Sequence, residues 1–137
     1  MDRSHVEAVL DGLDPVLRRK VVAVCGDCSH HEEVPQGWQL LPYQGWRSAK
    51  EQERLFREGR TKLRRSKHNL TPARACDVVW WHPVKGWSWD GSLPWHLVGS
   101  SAKAHGLTWG GNWKKLVDEP HLELRGWGEG KNDGTGK

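Results

Sequence analysis

Apolar residues recur at helical spacing early in this chain and give way to strand-like runs further on. Leu17, Val21, Val24, Cys25 and Cys28 fall on one stripe, the pattern of a helix laid on a core. Asp14-Pro15 stands before it, an N-cap followed by proline at the first helical position, so a helix is expected from there to about Cys25. Upstream, Ser4-His5-Val6-Glu7 has the form of a capping box and predicts a shorter helix ending near Gly12. Ser48-Ala49-Lys50-Glu51 is another, opening a helix with Leu55 and Phe56 inward and Gly59 as its stop. Residues 95–105 read as a fourth helix, with Leu97, Val98 and Ala102 inward and Gly106 at its end.

Extended segments lie between these helices. Residues 38–46 hold Leu40-Leu41 and predict a strand leading to Arg47, which Pro42 makes an edge or bulged one. Asp77-Val78-Val79-Trp80-Trp81 is β-branched and aromatic, as a buried strand is. In His121-Leu122-Glu123-Leu124 the period-two alternation puts His121 and Glu123 on one face and both leucines on the other. Leu107-Thr108-Trp109 is a short extended piece, while residues 30–36 and 82–93, the latter broken by Pro83, Gly86 and Gly91, read as loops. The predicted class is α+β, a small antiparallel sheet with helices mainly on one face. Residues 1–127 are expected to form a single domain, and 128–137, without an apolar anchor, a flexible tail.

A chain of 137 residues suits one domain with a real core. No apolar run approaches a membrane span, so no stable membrane insertion is expected. Met1-Asp2-Arg3-Ser4-His5 lacks the apolar centre of a signal peptide, which predicts synthesis in the cytoplasm without export by the usual signal. The net charge of +4 suits an anionic partner such as a cell-wall polymer, lipopolysaccharide or nucleic acid without choosing among them. The densest basic cluster, Lys62-Leu63-Arg64-Arg65 with Lys67, fits a solvated loop as well as a binding patch. Of the ten tryptophans, most are expected in or near the core; Trp87 and Trp89 are the better candidates for a substrate-facing wall, and Trp109 is expected to flank a cleft. Cys25-Gly26-Asp27-Cys28, followed by His30-His31, could be a redox or metal motif, but helical spacing favours packed free thiols. Cys76 should point into the core.

The chemistry concentrates in Ser66-Lys67-His68-Asn69, Asp77 and Asp118-Glu119-Pro120-His121. Two histidines and a carboxylate from separate segments are what a catalytic zinc ion needs, three protein ligands with one position left open. Asp118, three residues before His121, supplies a second carboxylate able to take a proton from water. Glu119 and Glu123 are rivals for that role, and Glu123, on the face of His121, is also a candidate to orient a ligand imidazole. Ser66 is expected to shape the ligand loop or bond substrate. His5, His30, His31, His82, His96 and His105 lack a convincing paired carboxylate.

Taken in order, Gly45-Trp46-Arg47-Ser48 with Gln52, Gly59-Arg60-Thr61, Ser66-Lys67-His68-Asn69, Ala75-Cys76-Asp77, residues 106–113 and Asp118-Glu119-Pro120-His121 resemble the zinc D-Ala-D-Ala peptidase superfamily. They resemble most its L-alanyl-D-glutamate endopeptidases of phage endolysins. The resemblance implies a hedgehog/DD-peptidase-like fold, Zn2+ held by His68, Asp77 and His121, Asp118 as general base, and Arg47 steadying the reacting carbonyl oxygen. It further implies bacterial peptidoglycan as the partner rather than nucleic acid, a monomer, and a host-cytoplasmic pool that reaches the wall at lysis. A D-Ala-D-Ala carboxypeptidase or dipeptidase with a differently walled pocket, and a non-catalytic wall-binding phage protein, are the alternatives. The nine-residue interval from His68 to Asp77 exceeds the family's usual one and predicts a longer turn at Thr71-Pro72. Aspartate rather than glutamate at position 118 favours the endopeptidase branch.

Overall fold

The computed structural model describes residues 3–61, 63, 65–115 and 117–126. The expected tail, and Lys62 and Arg64 of the basic cluster, lie outside the described residues. In chain order come α1 (Arg3–Asp11), α2 (Pro15–Ser29), β1 (Gln39–Gln44), α3 (Ala49–Arg57), a 3-10 turn at Lys67–Asn69, β2 (Ala75–His82), β3 (Gly86–Ser88), α4 (Trp95–Ala104), β4 (Thr108–Trp109), a second 3-10 turn at Gly110–Asn112, and β5 (His121–Glu123).

The local signals act where they stand. Asp14 Oδ1 accepts from the backbone N–H groups of Val16 and Leu17 and starts α2. That helix runs on past Cys25 to Ser29, because Cys28 extends the buried stripe and anchors the last turn. α1 already includes Arg3, so Ser4 lies inside the helix rather than capping it. Ser48 caps α3 by accepting from Glu51 N–H. The Glu51 carboxylate does not complete the box; it accepts from Nε and Nη2 of Arg54 at 3.0 and 2.6 Å, a stronger charge-assisted pairing. Gly59, at φ +74°, ends the segment in the left-handed conformation that glycine tolerates.

β2 is the centre of a fully antiparallel sheet ordered β1-β2-β5-β4. β1 is an edge strand whose register slips between Pro42 and Gln44, as a strand proline requires. Residues 82–93 are not wholly loop. β3 forms there and pairs with β2, Trp81 opposite Trp87, because a three-residue turn after His82 suffices to bring the chain back. Alternation along β2 sends Cys76, Val78 and Trp80 into the core with Leu17, Val21, Val24, Val98 and Leu122. Asp77 consequently points to the other face, where α3 contributes Leu55 to a cleft wall. The long turn before β2 is tied to the α1–α2 junction: Ala73 donates to Gly12 O at 2.9 Å and accepts from Asp14 N–H at 2.8 Å. The extra residues after His68 serve this attachment.

Candidate metal centre and active site

Register brings the first two candidate ligands together. β2 pairs with β5 so that Asp77 lies directly opposite His121, and the 3-10 turn capped by Ser66 carries His68 to the same spot. His68 Nδ1 donates to Gly45 O at 2.6 Å, which leaves Nε2 facing Asp77 Oδ1 at 3.3 Å. His121 Nδ1 approaches the same oxygen at 3.4 Å. Ligands about 2.0–2.1 Å from a tetrahedral ion sit about 3.3–3.4 Å from one another, so these separations fit zinc. The donor atoms of the three residues all lie within 4.8 Å of one another. His68 Nε2 and Asp77 Oδ1 are buried without any hydrogen-bond partner, a cost that a cation between them would remove. Among the described residues this is the one such His/Cys/Asp/Glu set with ligand geometry.

Burial pushes the Asp77 carboxyl up, but the two imidazoles outweigh it and hold Asp77 well below the ordinary carboxylate range. Burial lowers His68. Burial acts downward on His121 as well, yet the neighbouring Asp77 and Glu123 carboxylates prevail and raise it to about 9. Asp118 is raised to about 6, by burial first and by the Asp77 charge second. Its Oδ2 stands 4.0 Å from His121 Nδ1, beside the three donors without joining them.

Arg47 is clamped at the cleft wall. Its Nη1 donates to Gln52 Oε1 and its Nη2 to Gln44 Oε1, both at 2.8 Å, and Nη2 lies 3.6 Å from Asp77 Oδ2. Gln52 is itself held by Leu63 O at 2.6 Å. The guanidinium plane is therefore set by α3 and β1 together, and its Nε is left buried without a partner. Gln44 escaped the sequence reading; its signal, a polar residue just beyond the bulge at Pro42, becomes legible only once the register is known.

Behind the ligands runs a buried relay. His121 Nε2 donates to Glu123 Oε1 at 2.7 Å, and Lys67 Nζ donates to Glu123 Oε2 at 2.7 Å and to Leu124 O at 2.8 Å. Glu123 thus takes the orienting position that strand alternation allowed for it. Lys67, grouped in the sequence with a surface basic cluster, is 3% exposed; its ammonium is drawn inward because the buried Glu123 carboxylate and Leu124 O compensate its charge there.

The cleft encloses about 580 Å³ and is lined by Tyr43, Arg47, Ser66, Trp89, Trp113 and Asp118 among others. Ser66 shapes the ligand turn, its Oγ accepting from His68 N–H at 3.2 Å and its N–H donating to Asn69 Oδ1 at 2.8 Å. Trp109 does not face this cleft. Its indole lies against Gly99 of α4 and against Gly111, where any Cβ would collide with the ring, and Nε1 donates to Glu119 O at 2.7 Å. The ring borders a separate hollow by α4. Trp113 takes the place expected of Trp109, with its ring 4.8 Å from that of His121. Gly110 is needed at its position because an added Cβ would meet Asp118 O and His121 Cβ. Cys25, Cys28 and Cys76 are buried free thiols, each raised mainly by burial, which suits packing rather than nucleophilic chemistry. His82 packs on Trp38, and His105 bonds Asp27 at 3.0 Å; neither lines the cleft.

With this geometry in place, likeness to known proteins is specific. A family model described as D-alanyl-D-alanine carboxypeptidase matches residues 59–124, the stretch that holds His68, Asp77, Asp118 and His121. The chain is 32% identical to the peptidoglycan L-alanyl-D-glutamate endopeptidase CwlK of Bacillus subtilis, covering 82% of this chain and 73% of that protein. This chain belongs to the D-alanyl-D-alanine carboxypeptidase family of metallopeptidases. Within that superfamily it falls in the endopeptidase branch. The crystal structure of the L-Ala D-Glu endopeptidase ChiX of Serratia marcescens matches with a TM-score of 0.62 at 29% identity, over 90% of this chain and 88% of that one. The α+β architecture expected from the sequence is the one found. Among the described residues no helix is long and apolar enough to cross a membrane.

Proposed function

We propose that this peptidase is a zinc-dependent endopeptidase of bacterial peptidoglycan that hydrolyses the L-Ala–D-Glu bond of the stem peptide. The observation that carries this reading is the convergence of His68 Nε2, Asp77 Oδ1 and His121 Nδ1, two of them buried without partners, beside Asp118. A bound zinc ion would supply Lewis acidity, lowering the pKa of water and polarising the peptide carbonyl. Asp118, raised to about 6, is ionised at neutral pH and accepts the proton of the attacking water. It then returns that proton to the departing amine. Arg47, which lines the cleft beside Asp77, steadies the charge that develops on the carbonyl oxygen; its clamp by Gln44 and Gln52 fixes it there in advance. Glu123 and Lys67 hold the His121 ring.

Endopeptidase names on CwlK and ChiX, each matched over most of its length, support this bond over the D-Ala-D-Ala bond in the family description. The four-residue set His68, Asp77, His121 and Asp118 argues against a mere wall-binding protein, which has no use for all of it. The further proposal is a monomeric phage endolysin, held in the host cytoplasm until lysis. Mass spectrometry of muropeptides digested by the purified protein tests the bond: products ending at L-alanine are expected, and loss of terminal D-alanine alone would move the activity to the carboxypeptidase reading.

A further inference from the structure

We infer that Trp89, braced by Tyr43, is a saccharide platform that receives the sugar attached to the scissile peptide. The inference rests on the proposed peptidoglycan substrate and assigns one part of that substrate to one part of the cleft. Trp89 is 51% exposed, yet it lines the same cleft as His68, Asp77 and His121. A large exposed indole loses the apolar burial that ordinarily stabilises tryptophan. Its setting is nonetheless ordered. Tyr43 meets the Trp89 ring edge-on at 5.1 Å and 89°, and meets Trp87 at 5.0 Å and 71°. Trp87 is fixed in turn by its pairing with Trp81 across β3 and β2.

The backbone beyond Trp89 is pinned as well. Asp90 N–H donates to Ser88 Oγ at 3.2 Å, Ser92 N–H to Asp90 Oδ1 at 2.8 Å, and buried Trp95 donates from Nε1 to Asp90 O at 2.9 Å. A half-exposed aromatic on a backbone held at both ends is preorganised for a flat apolar partner. In peptidoglycan L-alanine is joined through a lactyl group to the muramic sugar. At about 3.3–3.6 Å per residue-length of chain, that ring begins about 7 Å from the scissile bond, so it falls within a cleft of this size. A pyranose presents C–H groups on its face, which complement the negative face of an indole. The opposite side of the scissile bond carries free carboxylates, whose chemistry asks for cations rather than an aromatic face.

The test has two arms on the full chain. First, the N-acetylglucosaminyl–N-acetylmuramic disaccharide, without peptide, is titrated while the indole N–H signals are followed by NMR. The Trp89 signal, assigned by its loss in Trp89→Phe, should shift with the disaccharide. Second, KM is compared for a disaccharide-peptide and for the same peptide freed of sugar. Trp89→Ala should raise KM for the sugar-bearing substrate at least fivefold more than for the free peptide, and Trp89→Phe should recover part of the difference. An unmoved Trp89 signal, or equal effects on the two substrates, overturns the platform. Wild-type protein that shifts Trp89 with the disaccharide but cuts neither substrate overturns the proposed activity instead.

Discussion

Replacing Lys67 by methionine keeps the length of the side chain and removes its charge, which isolates the buried relay behind His121. Lys67 and Glu123 are each 3% exposed and meet at 2.7 Å. Deleting one partner of such a pair costs about 3–5 kcal/mol; His121 Nε2 still donates to Glu123 in the variant, so the lower end, about 3 kcal/mol, applies. Leu124 O loses a donor at 2.8 Å as well, worth about 1 kcal/mol more. In a chain this size about 1 kcal/mol moves the midpoint of thermal unfolding by about 3–6 °C. Lys67→Met should therefore lower Tm by on the order of 12–24 °C in the presence of a chelator. Adding Glu123→Gln removes the stranded charge and keeps a carbonyl for His121 Nε2, so the double variant should regain more than half of the loss. Because Glu123 orients a ligand imidazole, Lys67→Met should also weaken zinc binding by about 10–100-fold, read by competition with a chromophoric chelator. A Tm within about 3 °C of wild type and an unchanged zinc affinity would refute the idea that the pair is coupled to the ligand.

Five further outcomes follow from the site. His68→Ala and His121→Ala should each lose zinc and activity together, and metal analysis showing full occupancy in both would sink the ligand assignment. Asp118→Asn should retain zinc but lose about a hundredfold or more in kcat, while Asp77→Asn should weaken zinc binding sharply because the site loses its anionic ligand. Since Asp118 must be ionised to act and is raised to about 6 without a metal, and a nearby dication can only lower it, kcat/KM should rise with pH through a midpoint at or below about 6; a midpoint well above 7 would remove Asp118 as the base. His121, raised to about 9 in the metal-free chain, should give up its proton on metal uptake, so calorimetry at pH 7.5 in buffers of different ionisation enthalpy should report about one proton released per zinc.

The helices and strands were legible from residue order because each depends on neighbours a few positions away. Asp14 caps α2 through its own next residues, and alternation alone separates His121 and Glu123 from Leu122 and Leu124. Candidate ligands could be picked out because few side chains hold zinc, so His68, Asp77 and His121 stood out before any contact was known. What lay beyond that reading depends on distances no local pattern encodes. Only the pairing of β2 with β5 sets Asp77 across from His121, and a slip of one residue would turn either ligand to the opposite face. Lys67 and Glu123 are 56 residues apart in sequence, so nothing beside Lys67 marks it as buried; its charge and its neighbours are those of a surface loop. Trp109 and Trp113 look alike on paper. Two glycines from separate segments decide that Trp109 is packed flat against backbone while Trp113 is left to face His121, since close packing sorts identical side chains by the space opposite them.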